Sequence, residues 1–370
     1  MIRLTRQIAS LGCIFVIAFS AISQTKAEDA DIRRFDFERV EMGVIFRFSV
    51  YGSDSGVANK AAEAAYARVH ELNGIFSDYE GTSEVRRLCE KSGPGRPVKV
   101  SKELFTVLNA SLQLSCETDG AFDVTVGPLT KLWRRARRRE VMPEPERLAA
   151  ERELVGHKLV RLDCESRTVE LLRDGMRLDF GGIAKGYAAD EALRVLSEHG
   201  LTRALVDASG DIVAGDPPPN ADFWTIEIEA LRQRGSVHEA QEQAEPISSG
   251  QSVDALQVVP HLRIRNQAVA TSGDAYQSVV IDGRRYSHIV DPKTGLGLNQ
   301  RSSVTIIAPT GMIADSLASA VSALGPKAGV QLLDQPQRHH TEGIVMFAKG
   351  ESDKVRAVES SGLRTFLIPD

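Results

Sequence analysis

Residues 179–190 read Asp-Phe-Gly-Gly-Ile-Ala-Lys-Gly-Tyr-Ala-Ala-Asp, and this stretch decides how the rest of the chain is interpreted. Alternating apolar residues before it predict a strand over Met176–Phe180, and a helical pattern continues to His199. A strand, a glycine-rich turn and a helix start present free backbone N–H groups and a positive helix end, which suit a phosphate ligand. A tight turn with a solvated Lys185 is an equally open interpretation, because the stretch matches neither the dinucleotide fingerprint nor the P-loop pattern.

The composition is that of a globular protein. The chain has 370 residues, of which 42% are hydrophobic and 26% are charged, and this excludes a disordered or fibrous chain. Its formal net charge of −5 argues against nucleic acid as a partner. The one basic run, Arg134–Arg139, is predicted to be a solvated helix face or loop.

The N-terminus has the pattern of a secretion signal. Arg3 and Arg6 precede an apolar stretch over Leu11–Ile22, which is too short for an ordinary membrane span, and small residues lead to Ala27. Residues 1–27 are therefore predicted to be a signal peptide of an exported protein. Cys13 lies at the start of the apolar stretch instead of its end, which argues against lipidation.

Cys89, Cys116 and Cys164 remain after removal of the signal. Their odd number and irregular spacing match neither a disulfide framework nor a zinc site. One disulfide or three free thiols both stay open.

Strand and helix patterns alternate without a repeat or a clean linker, which predicts an α+β fold with mixed sheets and packed helices over one domain, residues 28–370. Residues 230–260 are polar and are predicted to form a surface insertion. The principal elements predicted are strands over Phe35–Val50, Lys158–Leu162, Thr168–Leu172, Arg203–Asp207, Phe223–Glu229, Leu262–Thr271, Tyr286–Val290, Ser303–Ala308, Gly343–Phe347 and Leu363–Ile368, and helices over Ala58–Phe76 and Gly311–Leu324.

Three further segments contain candidate functional residues. His288, near the end of a predicted strand, is either a general base or phosphate ligand, or a core histidine. Asp315 and Ser319 share one face of a helix near its start; they are either oxygen ligands for magnesium, or a first-turn acid and a packing serine. The segment Asp119–Asp123 either lines a pocket or forms a turn.

Together these segments resemble the ApbE family of FAD:protein FMN transferases. The matching pieces follow the family's order along nearly the whole chain after the signal: Met42-Gly43, Phe76–Tyr79 with Ser83-Glu84, Thr118–Pro128 with Leu132-Trp133, Asp179–Asp190, Val206–Ile212, Ala270–Gly273, Tyr286–Gly295 and Ala314–Gly325.

The resemblance implies a T-fold-related architecture and a magnesium-dependent enzyme that acts in the periplasm or on the outer face of the cytoplasmic membrane. It would take FAD as substrate, transfer FMN to a threonine or serine of an acceptor protein and release AMP. Membrane-associated redox proteins are candidate acceptors. Two alternatives remain: an FAD pyrophosphatase that uses water as the nucleophile, and a periplasmic flavin-binding protein without turnover.

The resemblance also assigns residues. The magnesium ligands would be Asp315, Ser319 and the backbone carbonyl of Ala184. The family usually has threonine at the position of Ser319, and serine keeps the hydroxyl ligand. His288 would accept the proton of the acceptor hydroxyl. The residues that would contact FAD are Met42, Tyr79, Ala121, Phe122, Asp123, Asp179, Lys185, His288 and Val290.

Overall fold

The computed structural model describes residues 31–228, 231, 261–273, 278–348 and 355–368. The predicted signal peptide lies outside these residues, as does the predicted insertion at 230–260 apart from the buried Leu231. Across the described part of the chain, no helix combines the length and the apolar character needed to cross a membrane.

Fifteen strands occur in the described residues, and all of their pairings are antiparallel. The largest sheet has eight strands in the order β1-β2-β6-β7-β10-β13-β14-β15. The strands are β1 Arg33–Glu41, β2 Val44–Gly52, β3 Val98–Lys99, β4 Val160–Asp163, β5 Thr168–Leu171, β6 Ala204–Ala208, β7 Asp211–Ala214, β8 Trp224–Glu227, β9 His261–Ile264, β10 Gln267–Gly273, β11 Ser278–Ile281, β12 Arg284–Ser287, β13 Arg301–Ala308, β14 Glu342–Ala348 and β15 Val355–Glu359.

Eight α-helices accompany these strands in the described residues. Several begin at a side-chain cap, such as Asp54, Ser83, Ser101 and Thr310, whose oxygens accept backbone N–H groups of the first turn. The helices are α1 Ser55–Phe76, α2 Glu84–Lys91, α3 Lys102–Glu117, α4 Gly127–Arg139, α5 Pro145–Arg152, α6 Ala184–Glu198, α7 Gly311–Leu324 and α8 Pro326–Leu333.

The large sheet has apolar residues on both faces. Along β13, Ile306 and Ala308 belong to the main core beneath the helices, whereas Ile307 belongs to a second core on the other face. Trp224 and Ile264, from the separate β8–β9 pair, complete that second core. Because neighbouring side chains on a strand point to opposite faces, one strand contributes to both cores.

Helices α6 and α7 cross closely, and their N-terminal turns are in contact. A Cβ atom at Gly186 would overlap the carbonyl of Gly311, and a Cβ atom at Gly311 would lie 2.5 Å from the carbonyl oxygen of Gly186. Both positions therefore require glycine. The consequence is that the residue 179–186 turn meets the first turns of α7, which contain Asp315.

The α+β prediction is confirmed, as is the α7 helix over Gly311–Leu324. The strand predicted at Met176–Phe180 is wrong. Its alternating burial is present, but the amide of Leu178 donates to Cys89 Sγ and that of Asp179 donates to Val124 O, so no strand ladder forms.

Other boundaries also differ. Leu363–Ile368 is a short 3₁₀ helix followed by an isolated bridge, and strand β15 precedes it. The segment Leu262–Thr271 is two strands, because Asn266 has a positive φ of 49° at a turn between them. Strand β12 ends at Ser287, so His288 follows it.

We predict that Gly186→Ala lowers the free energy of unfolding by about 1–3 kcal/mol, because the added methyl overpacks the helix crossing. The control is Gly74→Ala in α1, where a Cβ atom meets nothing within 4 Å; it should be neutral or stabilise by up to about 1 kcal/mol. Urea unfolding measures both. Equal stability of Gly186→Ala and the wild type would contradict the described crossing.

Candidate functional site

Asp179 organises the turn that begins the candidate site. Its Oδ1 accepts the Gly181 amide at 2.9 Å, while Oδ2 accepts Thr130 Oγ1 at 2.7 Å and lies 3.1 Å from the Arg134 guanidinium. Thr130 and Arg134 are four residues apart on α4, so they lie on one face of that helix. The carboxylate predicted to hold the dinucleotide is therefore fixed by a helix that the sequence did not assign to the site.

Tyr79 lies next to this turn and is 77% exposed. The Arg134 guanidinium carbon is 4.2 Å from its ring centroid, which is a cation–π contact. Arg134 also forms an ion pair with Asp78. Burial, and then the negative charge of Asp179, raise the pKa of Asp78, although Arg134 opposes this shift.

Ser319 lies directly against the turn. A Cβ atom at Gly182 would be 2.6 Å from Ser319 Oγ and 3.6 Å from Phe122 Cε2. The glycine therefore lets the α7 hydroxyl and the Phe122 ring approach the backbone. This brings a predicted metal ligand and a predicted FAD contact together.

Lys185, Asp211 and Asp315 form a charged cluster at the start of α6. The Lys185 ammonium contacts the Asp211 carboxylate and lies 3.8 Å from Asp315 Oδ2, and that oxygen accepts the Gly186 amide at 3.1 Å. Asp211 and Asp315 are each 4% exposed. The cluster contains two buried carboxylates and one ammonium, so its ionised form has a net negative charge.

Burial dominates the acid–base properties of this cluster. Burial, and then the nearby Asp315, raise the pKa of Asp211 to about 7 despite Lys185. Burial also raises the pKa of Asp315, against the opposing effects of Lys185 and the Gly186 amide. Burial lowers the pKa of Lys185, but the two carboxylates outweigh it, so the lysine stays charged.

Asp190 connects α6 to α7. Its two carboxylate oxygens accept the backbone amides of Gly311 and Met312 at 2.6 and 2.9 Å, which satisfies free N–H groups at the start of α7. Burial raises the pKa of Asp190 to about 6, although these two amides lower it. The last residue of the opening motif thus fixes the helix that contains Asp315 and Ser319.

The carboxylate of Asp123 holds local backbone. It accepts the Thr125 amide and hydroxyl at 2.9 and 2.6 Å and the His157 amide at 2.7 Å. Asp123 and Gly120 also line a cavity of about 410 Å³, which does not include Asp179, Lys185 or Asp315. Ala121 is half-buried and lies between Gly120 and the buried Phe122.

His288 and Val290 lie on the loop after β12. Val290 is buried and forms an isolated bridge with Gly297, and His288 is half-buried. Trp133 ties this loop to α4, because its indole N–H donates to the Gly295 carbonyl at 2.6 Å. The same helix holds Asp179, so α4 connects the histidine loop with the residue 179–186 turn.

Met42 lies at the tip of the β1–β2 hairpin, with φ of 52°, and packs against the main core. The β6–β7 turn is nearby in the sheet, because Ser209 Oγ donates to the Ile45 carbonyl at 3.0 Å. Ser209 and Gly210 both have positive φ, as in a type I′ turn, and Asp211 follows this turn directly.

The model of the ApbE family matches residues 42–345. The chain belongs to the ApbE family. An FAD:protein FMN transferase of Vibrio cholerae is 30% identical over 331 residues, which cover 88% of this chain and 90% of the relative. One of Haemophilus influenzae is 29% identical over 290 residues, covering 77% and 78%.

Solved structures agree with this membership. The flavin transferase ApbE from Vibrio cholerae matches with a TM-score of 0.75 and 27% identity, covering 91% of this chain and 100% of that chain. The apbe protein from Thermotoga maritima matches with a TM-score of 0.75 and 26% identity, covering 91% and 100%. The family assignment made from the ordered motifs is thereby confirmed.

Several residues that contact the candidate site are absent from the sequence prediction. The sequence predicts that Arg134 belongs to a solvated basic run, and it assigns no role to Thr130, Asp78 or Asp211. The i, i+4 spacing of Thr130 and Arg134 indicates that the two side chains share one helix face. Only the fold shows that this face of α4 contacts Asp179.

A divalent cation fits the residues present. Asp315, Ser319 and the Ala184 carbonyl would offer the hard oxygen atoms that magnesium prefers, and a cation would offset the excess negative charge of the buried cluster of Lys185, Asp211 and Asp315. Within the described residues, no three His, Cys, Asp or Glu side chains form a metal-binding group. A site with one carboxylate does not need such a group, because magnesium usually keeps water and substrate phosphate ligands.

We predict a pH-dependent contribution of Asp190 to stability. Because its folded-state pKa of about 6 exceeds the ordinary 3.8, the folded protein binds the proton first. The contribution is complete below about pH 4 and is lost as the pH rises through 6, a change of up to about 3 kcal/mol. Asp190→Asn removes the titration. Unfolding free energies of both proteins between pH 4 and 7 test this: the wild type should gain relative to the variant as the pH falls, and a constant difference contradicts the prediction.

Proposed function

We propose that the chain catalyses magnesium-dependent transfer of FMN from FAD to a threonine or serine hydroxyl of an acceptor protein, with release of AMP. The observation that carries this is the α6–α7 crossing, which brings Asp315 and Ser319 against the glycine turn at 179–186. Membership of the ApbE family, whose relatives have the name FAD:protein FMN transferase, supports it.

Asp315, Ser319 and the Ala184 carbonyl would hold the magnesium ion. When bound, the ion supplies charge stabilisation to the pyrophosphate oxygens. Lys185 remains charged beside Asp211 and Asp315 and adds a fixed positive charge at the same end of α6. The amides of Gly181, Ala184 and Gly186 already donate to Asp179 Oδ1, Phe180 O and Asp315 Oδ2, so the positive charge at this turn comes mainly from Lys185.

The rest of FAD extends from this point over the neighbouring elements. Tyr79 offers an exposed ring for stacking, and Met42 packs beside it in the proposed complex. Phe122 approaches Gly182, so it borders the space next to the pyrophosphate. Ala121 and Val290 contribute apolar surface, and the Asp123 carboxylate keeps the 121–125 turn in shape.

The chemical step is a displacement at the FMN-side phosphorus. The acceptor hydroxyl oxygen bonds to that phosphorus, the bond to the bridging oxygen breaks, and AMP leaves with the bridging oxygen. His288 accepts the hydroxyl proton in this proposal, because an imidazole nitrogen can act as a general base and this side chain is half-buried on the loop after β12. The loop that contains His288 is anchored to α4 through the hydrogen bond from Trp133 to the Gly295 carbonyl.

The site of action is proposed to lie outside the cytoplasm. The charged N-terminal residues, the apolar Leu11–Ile22 stretch and the small residues up to Ala27 support a cleaved signal over residues 1–27. The periplasm or the outer face of the cytoplasmic membrane follows, with membrane-associated redox proteins as acceptors.

The purified chain tests the function when it is mixed with FAD, Mg²⁺ and envelope proteins from cells that lack the gene. Protein-bound flavin fluorescence on a denaturing gel, with matching AMP release, is expected. Asp315→Ala should reduce the rate by at least about a hundredfold, since it removes the one carboxylate ligand. Ser322→Ala, on the same helix, removes only a bond to the Ala318 carbonyl and serves as the matched control.

The products separate the alternatives. Fast AMP release without bound flavin, also in the absence of envelope proteins, would indicate a pyrophosphatase. Bound FAD with neither product would indicate a flavin-binding protein. A normal rate for Asp315→Ala would overturn the metal assignment.

A further inference from the structure

Tyr79 is the most exposed large hydrophobic side chain in the described residues, yet it does not stand alone. The Arg134 guanidinium carbon lies 4.2 Å from the centroid of its ring, and Tyr79 as a whole residue is nevertheless 77% exposed. The opposite face is therefore open. An aromatic ring with a cation behind it and solvent in front has the form of a stacking platform.

Arg134 is itself held in place. Its guanidinium pairs with Asp78 through one terminal nitrogen and with Asp179 Oδ2 at 3.1 Å through the other. Thr130 Oγ1 donates to that same Asp179 oxygen at 2.7 Å. The side chains of Arg134 and Asp179 are 29% and 9% exposed, so these contacts are partly shielded from solvent.

These contacts link two parts of the proposed FAD site. Asp179 orders the turn by accepting the Gly181 amide, and Tyr79 is the proposed ring contact. Arg134 touches both, and its planar fork can pair with two carboxylates while its face lies on an aromatic ring. Lysine has the charge but neither the fork nor the plane.

A purely structural role would need no exposed ring. Arg134 could form its ion pairs with Asp78 and Asp179 whatever residue stood at position 79. If the Tyr79 ring served only to stabilise the fold, it would do so best when buried, because burial removes apolar surface from water. Its neighbour Arg135 on the same helix is exposed, so the basic run does not turn inward as a whole.

We propose that Arg134 is a positioning residue that holds the Tyr79 ring and the Asp179 carboxylate in the arrangement that receives FAD. The proposal rests on the transferase function proposed above. Binding then spends less free energy on ordering a flexible tyrosine, because the ring is already immobilised against the guanidinium. Arg134 does not contact the reacting atoms, so its effect falls on FAD binding and not on the chemical step.

The proposal is tested by titrating the full chain with FAD in the presence of Mg²⁺ and monitoring binding by the quenching of flavin fluorescence. Arg134→Gln should weaken FAD binding about tenfold and raise KM for FAD similarly, with kcat unchanged at saturating FAD. Arg134→Lys should lie between Arg134→Gln and the wild type. Arg135→Gln is the matched control and should bind as the wild type does.

A double-mutant cycle shows whether Arg134 acts through the ring. In a Tyr79→Ala background, Arg134→Gln should weaken FAD binding by less than about threefold, because its main partner is already absent. Effects that simply multiply would overturn the proposal. So would unchanged FAD binding by Arg134→Gln together with a lowered Tm, which would indicate a structural ion pair.

Failure of the proposed transferase function and failure of the proposed Arg134 role give different results. A wild-type chain that binds no FAD contradicts the function itself. A wild-type chain that binds and transfers FMN, with Arg134→Gln equal to it in KM, contradicts only the role of Arg134.

Discussion

The contact between α6 and α7 at Gly186 and Gly311 is the constraint on which the rest of the site depends. Without side chains at these two positions, the backbones approach closely enough for Asp190 to cap α7 with both carboxylate oxygens. That approach brings Asp315 to the Gly186 amide. Gly186 of the 179–190 stretch therefore serves helix packing.

The arrangement has an electrostatic cost. Asp211 and Asp315 are buried next to each other, and burial raises the pKa of both. Buried charges are retained in proteins where they are paired or bind a metal, and Lys185 compensates only one of the two. The carboxylate that Lys185 leaves unbalanced supports the proposed magnesium site.

Sequence reasoning identified the segments but not all of their contacts. The motif at 179–190 and helix α7 were found because glycine placement and helical periodicity are local signals. The strand at Met176–Phe180 was wrong because alternation indicates which side chains are buried, not whether the backbone finds a partner strand. Arg134 was missed because a run of like charges usually faces solvent, and only the packing of α4 shows that one member turns inward to Asp179 and Tyr79.

Covalent flavin on another protein is the most direct consequence of this account. Peptide mass spectrometry of envelope proteins, from cells with the wild-type gene and from cells in which it is deleted, measures it. Threonine or serine peptides that carry FMN are expected in the first cells, and none are expected in the second. The same FMN-modified peptides at equal abundance in both would contradict it.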